Sequence, residues 1–211
     1  GESVGEAGVT GKGQWELVEA LAGIRPAKSG QIRVRGHRVA HVPEDRQRMG
    51  LIMAFAAQES AILGHHDEPA YNGAVLMKQS AVAASFSRQA AEYDIRPANG
   101  ALATSAFSGG NQQKIVLARE LDRNPDVLLV GQPTRGVDIG AIEFVHRRLV
   151  ALRDAGKALL VVSVELDEIM ALADRILVMH DGRIVGDMPR AAATEQTLGL
   201  LMAGVTEPSP T

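Results

Sequence analysis

A chain of 211 residues, 45% of them hydrophobic, is long enough for one sizeable core or two small ones and too apolar for general disorder. Its 22 basic and 25 acidic residues leave a formal charge of −3, which argues against a nucleic-acid partner and against a polybasic membrane surface. Cysteine is absent, which removes disulfides, thiolate metal sites and thiol catalysis, and apolar runs such as Leu51 to Ala57 fall short of the ~18 residues a spanning helix needs.

Near its start the chain reads Gly8-Val9-Thr10-Gly11-Lys12-Gly13-Gln14-Trp15-Glu16, then Leu17, Val18 and Leu21 at helical spacing. A glycine-rich turn opening a helix is the layout of a phosphate-binding P-loop, G-x-x-x-x-G-K-[ST]. Gly8 and Gly13 match it, but Gln14 stands at the lysine position and Trp15 at the Ser/Thr position. An amide brings no positive charge to the β/γ-phosphates, and an indole cannot ligate Mg²⁺. Gly30 to Val42 alternates polar and apolar residues, which predicts antiparallel edge structure, and an acidic stretch with Glu44 and Asp45 follows.

From Leu51 to Ser105 the pattern is helical, with Val82, Phe86 and Ala90 at four-residue spacing and Tyr93 beyond them. Phe107-Ser108-Gly109-Gly110-Asn111-Gln112-Gln113-Lys114 then runs into a helix whose packing face includes Leu117 and Leu121. Ser108 is an N-cap residue, and the two glycines behind it let backbone N–H groups turn toward an anion at the positive end of the helix dipole. Asp126 to Val130 predicts a buried strand. Gly131-Gln132-Pro133-Thr134-Arg135-Gly136-Val137-Asp138 leads into a helix with Ile142, Val145, Leu149 and Leu152 on one face, and Ala158 to Val162 predicts a second strand. Strand, helix and strand in this order form a βαβ unit and imply a parallel sheet. A further helix is expected over Leu166 to Ala173 and a strand over Arg175 to Met179, and Asp181-Gly182 signals a hairpin. The last twenty residues lose periodicity and predict a frayed end.

The stretch Ser108 to Gln112 resembles the signature motif of ATP-binding-cassette (ABC) ATPases. That resemblance implies an α/β P-loop NTPase fold: a mostly parallel core sheet, an antiparallel edge, and a helical subdomain inserted at residues 46–106 of a domain spanning 1–189, followed by a helix or tail at 190–211. Strands that precede the P-loop in that family, with the aromatic that stacks on adenine, are expected to lie outside this chain in a longer polypeptide. In the family, the strand before Pro-Thr ends in Asp-Glu, the first holding Mg²⁺ through water and the second polarising the attacking water. Here those positions are Gly131 and Gln132, and the switch-histidine position is Val164, so no catalytic residue is intact. Glu44 falls at the Q-loop position and Asp138 ends the D-loop.

ATP and Mg²⁺ are therefore expected to be held mainly by a partner cassette, whose site Ser108, Gly109, Gly110, Asn111 and Gln112 would complete. Gly8, Gly11, Gly13, Gln14, Trp15 and Glu16 form the degenerate loop. Gly-Gln-Pro-Thr-Arg-Gly-Val-Asp and Val-Glu-Leu-Asp-Glu-Ile look like the second cassette of the double-cassette subunit of bacterial simple-sugar importers, most of all the purine-nucleoside branch. The implied partners are a second cassette in the same longer chain, transmembrane permease subunits and, indirectly, a solute-binding protein, at the cytoplasmic face of the plasma membrane. A different class of reading is a regulatory or docking module that couples to membrane subunits without engaging nucleotide.

Overall fold

The computed structural model describes residues 1–9, 11, 13–34 and 38–205. In chain order its elements are β1 (Glu2–Gly8), α1 (Gln14–Leu21), β2 (Val39–Val42), α2 (Ala57–Ser60), α3 (Gln79–Tyr93), α4 (Gly109–Asp122) and β3 (Val127–Gly131). Then follow α5 (Ile139–Asp154), β4 (Ala158–Ser163), α6 (Leu166–Leu172), β5 (Arg175–His180), β6 (Arg183–Pro189) and α7 (Glu195–Met202). They divide into two compact units, one built from residues 1–41, 125–133 and 146–211, the other from 42–124 and 134–145.

In the first unit the described strands form one sheet in the order β2-β3-β4-β1-β5-β6. The pairs β3/β4, β4/β1 and β1/β5 are parallel, and β5/β6 is the antiparallel edge pair. Central β3 and β4 read Val-Leu-Leu-Val-Gly and Ala-Leu-Leu-Val-Val-Ser, the near-continuous apolar runs of strands covered on both faces. Val18 from α1 packs with Leu129 and Val162, and Trp15, Leu21 and Leu160 close over them. The β5/β6 hairpin turns at Asp181 and Gly182, both at positive φ (45° and 73°), as the Asp-Gly signal predicts.

Strand β1 is not singled out by sequence patterning, because Glu2, Gly5 and Glu6 interrupt its apolar residues. It nonetheless lies between β4 and β5, with Glu6 in register with Val162 and Leu177. Gly5 lets α6 approach the sheet: a Cβ there would stand 2.7 Å from Ala173 Cβ. Side chains alternate along a strand, so Glu6 and Gly8 face the opposite side.

Three expectations fail here. Strands preceding the P-loop are expected to lie outside this chain, yet β1 lies within it and runs directly into Gly8; its glutamates and glycines break the apolar run that marks a buried strand. Residues 31–34 form no strand, residues 35–37 lie outside the described residues, and the strand is confined to Val39–Val42. Alternation alone over so short a run does not supply a pairing partner. The expected frayed end is instead helical over Glu195–Met202, capped by Thr194, whose Oγ1 accepts from Thr197 N at 3.1 Å, and anchored by the fully buried Leu198. Residues 206–211 lie outside the described residues.

In the second unit α3 buries Val82, Phe86, Ala90 and Tyr93 as their spacing predicts, and Asp94 ends it in the left-handed conformation. Phe86 meets Phe107 edge-on at 6.4 Å between ring centroids. Helix α4 buries Ile115, Val116, Leu117, Ala118 and Leu121. Beside them Arg119, only 5% exposed, donates through Nη1 to the carbonyls of Gly50 (2.7 Å) and Ser60 (3.1 Å) and through Nε to the Glu120 carboxylate (2.9 Å), which pairs its buried charge.

Candidate functional site

The P-loop positions belong to the first unit. Helix α1 starts after Gly13, whose φ of 110° is a conformation that side-chain-bearing residues rarely adopt. Gln14 does not point outward. It is 1% exposed, and its Nε2 lies 2.1 Å from the point where a Cβ on Gly8 would sit. Glu6 Oε1 lies 3.0 Å from that same point. Glu6 is wholly buried, and among the described residues neither its two carboxyl oxygens nor Gln14 Oε1 has a hydrogen-bond partner. Burial pushes the Glu6 carboxyl up to about 8, so near neutral pH its acid form predominates. Glu6 is missing from the sequence reading, although an acidic residue inside a Gly/Ala/Val run just before a P-loop was the available signal. Trp15, half-buried, packs onto the Val18–Leu129–Val162 cluster, Gly11 and Glu16 are exposed, and Lys12 lies outside the described residues.

The positions that hold Mg²⁺ and orient water in an intact cassette belong to the same unit. Gly131 ends β3 and is buried. Gln132 takes the left-handed conformation (φ 45°), is 5% exposed, and donates its backbone N–H to the Val162 carbonyl at 2.8 Å. Val164 is half-buried after β4, where Ser163 Oγ accepts from Glu165 N at 3.1 Å. His180 does not substitute for a switch histidine, because its Nδ1 pairs with the Met202 carbonyl at 2.9 Å beside α7. Mg²⁺-polyphosphate is held through ionised carboxylates or a hydroxyl beside a lysine charge, and at the motif positions among the described residues this face offers two carboxamides, an indole and a buried protonated acid. These residues do not fit a Mg²⁺-polyphosphate.

The signature belongs to the second unit, and its loop is stitched from below. Ser108 Oγ caps α4, accepting from Asn111 N (3.4 Å) and Asn111 Nδ2 (2.9 Å), while Asn111 Oδ1 accepts from Arg96 N at 2.7 Å. Buried Gln112 donates to the Phe107 carbonyl (2.9 Å) and accepts from Gln47 Nε2 (3.0 Å). Ser108 itself stays exposed at the helix start. Close approach fixes both glycines. A Cβ on Gly109 would stand 2.6 Å from the Gly136 carbonyl oxygen and 2.7 Å from Arg46 Nη2, and one on Gly110 would stand 2.9 Å from both Asp138 Oδ2 and Ala141 Cβ.

Asp138 caps the start of α5, its Oδ1 accepting from Ala141 N at 2.9 Å, so this unit brings the signature glycines and the D-loop aspartate together. Sequence reasoning missed Arg46. Its guanidinium donates to the carbonyls of Arg135 (2.6 Å) and Gly136 (3.0 Å), fastening that turn beside Gly109. Glu44 pairs with Arg135; burial raises its carboxyl above the ordinary value and the arginine opposes the shift. The two line a cleft of about 230 Å³ with Asp45, Arg46 and Gln47.

A family model described as "ABC transporter" matches residues 1–135. The chain belongs to this family. It is 44% identical to the guanosine import ATP-binding protein NupO of Bacillus subtilis (strain 168) over 98% of its length and 43% of the relative's. It is 43% identical to the nucleoside import ATP-binding protein NupA of Lactococcus lactis subsp. cremoris (strain MG1363), over 97% of this chain and 43% of that one. The ribose import ATP-binding protein RbsA 2 of Streptomyces avermitilis is 39% identical over 94% of this chain and 41% of its own length. The chain thus spans about two-fifths of the curated relatives it matches.

Among solved structures, a metal-chelate type ABC transporter in an inward-facing conformation superposes with a TM-score of 0.79 at 16% identity, over 96% of this chain and 79% of that one. A dimeric bacterial ABC transporter cassette superposes with a TM-score of 0.73 at 20% identity, over 90% and 85%. These likenesses establish the ABC cassette fold, an α/β fold with a mostly parallel sheet and an antiparallel edge pair. No helix among the described residues is long and apolar enough to cross a membrane.

Proposed function

We propose that this chain is an ATP-binding, energy-coupling cassette of an ABC importer for nucleosides or simple sugars, and that it serves as the supporting half of a cassette pair. In this reading Ser108, Gly109 and Gly110 hold the γ-phosphate of an ATP whose P-loop and Mg²⁺ ligands belong to the partner cassette, with Asn111 and Gln112 shaping the loop and Asp138 at the seam. The partner is a second cassette, placed in the same longer chain. The pair sits on permease subunits at the cytoplasmic face of the membrane, fed indirectly by a solute-binding protein. Relatives that are guanosine, nucleoside and ribose import ATP-binding proteins support the importer class. One contrast carries the finer reading: the signature glycines are built to close tolerance against Gly136 and Asp138, while the P-loop interior holds Gln14 and Glu6.

The test is made in the complete transporter containing this cassette. Ser108→Asp keeps a good N-cap yet sets a carboxylate against the γ-phosphate, while Ser108→Asn keeps the cap without the charge. Loss of a preorganised donor costs about 3 kcal/mol of barrier, roughly a hundredfold in rate. ATPase should fall by about that factor with Ser108→Asp and by no more than about tenfold with Ser108→Asn. Gln132→Asn, which tolerates the left-handed conformation, should leave the rate within about twofold. Unchanged ATPase in Ser108→Asp would favour a docking module that engages no nucleotide.

A further inference from the structure

Missing lysine charge is the plain reason for a weak P-loop, but the structure holds a second obstacle beneath it. Strand β1 delivers Glu6 to the same side of the sheet as Gly8, two residues on, and to the inner surface of the loop that α1 closes. There the Glu6 carboxyl and the Gln14 amide crowd one point above Gly8, and the carboxyl is wholly buried with no hydrogen-bond partner among the described residues. A lone buried acid is costly in a fold, and this one faces the residue that would have to reach a nucleotide.

We propose that Glu6 is a second specificity determinant of this loop, one that would neutralise a lysine at position 14 and so keep polyphosphate out even where that lysine is restored. The proposal rests on the reading of this P-loop as the silent face. A lysine introduced at position 14 along the path that Gln14 now follows meets Glu6 first. Beside an ammonium a buried carboxyl ionises, and the resulting pair is neutral, so the loop gains nothing to offer a phosphate. With Glu6 replaced by an apolar residue, the same ammonium has no internal counter-charge and turns to the ligand. Restoring the consensus residues at positions 14 and 15 is therefore insufficient, and Glu6 must change as well.

Four forms of the chain decide this: unaltered, Glu6→Val, the double variant Gln14→Lys with Trp15→Ser, and the triple variant combining all three changes. Each is titrated calorimetrically with inorganic tripolyphosphate and with Mg-ATP, after circular dichroism has established that it is folded. Valine suits a buried central strand, and a second triple variant carrying Glu6→Gln, isosteric and uncharged, covers the case in which valine repacks the loop. Glu6→Val alone and the double variant should each bind within about threefold of the unaltered chain. The triple variant should bind at least tenfold more tightly than the double. Equal affinities of double and triple variants, strong or weak, overturn the role given to Glu6. Micromolar binding by the unaltered chain would instead sink the silent-face reading, a separate outcome because the triple-to-double ratio is independent of the starting affinity.

Discussion

Glu6 also makes a prediction about stability that needs no ligand. Its carboxyl titrates near 8 in the folded chain against an ordinary 4.5, with desolvation as the cause. Between those values the folded state holds a proton that the unfolded state has lost, so stability falls as pH rises through the window. The slope is about 1.4 kcal/mol per pH unit, which by pH 7 accumulates to about 3 kcal/mol. Below the unfolded value the contribution vanishes, and above 8 it levels off.

Glu6→Gln removes the titration while keeping the shape. For a chain of this length 1 kcal/mol moves the thermal midpoint by roughly 2–4 °C. The variant's midpoint relative to the unaltered chain should therefore rise by roughly 5–10 °C as the buffer goes from pH 5 to pH 7, measured by circular dichroism melts. Glu44, also raised by burial, is present in both proteins and cancels in the difference. Midpoints that run parallel from pH 5 to pH 8 would show that Glu6 is not a buried acid, and the reasoning about the P-loop would lose its footing.

Incubated alone with Mg-ATP, the chain should release phosphate at background in a continuous phosphate assay, because no carboxylate is placed to hold Mg²⁺ or orient water; a robust rate abolished by Gln132→Asn would contradict that. Leu198→Ala, at a fully buried position of α7, should cost about 2–4 kcal/mol and lower the thermal midpoint by roughly 5–15 °C, whereas a drop below about 2 °C would mean that α7 does not pack.

The βαβ run from Val127 to Ser163, the α3 face and the Asp-Gly hairpin were legible because each rests on local periodicity or turn chemistry. Strand β1 was not, since its glutamates and glycines interrupt the apolar run, and only the fold pairs it with β4 and β5 and packs α6 against Gly5. Pattern alone missed helix α7, which only the family resemblance allowed as a helix or tail: one fully buried leucine, a threonine cap and a contact to His180 from another strand are too little local pattern for so short a segment. At the site, the degenerate positions Gln14, Trp15, Gly131, Gln132 and Val164 could be read directly by comparison with intact motifs. The direction Gln14 takes, the acid beneath it and the contacts of Arg46 with two carbonyls about ninety residues on required the fold. Close approach of Gly109 to Gly136 and of Gly110 to Asp138 is likewise invisible to spacing.

Counting trapped nucleotide tests the division between a working signature and a silent P-loop most directly. In the complete transporter, incubation with Mg-ATP and vanadate should trap one nucleotide per cassette pair. That nucleotide should be lost with Ser108→Asp in this chain and retained with Gln132→Asn. Two trapped nucleotides per pair, or one that survives Ser108→Asp and disappears with Gln132→Asn, would contradict the assignment of the two faces.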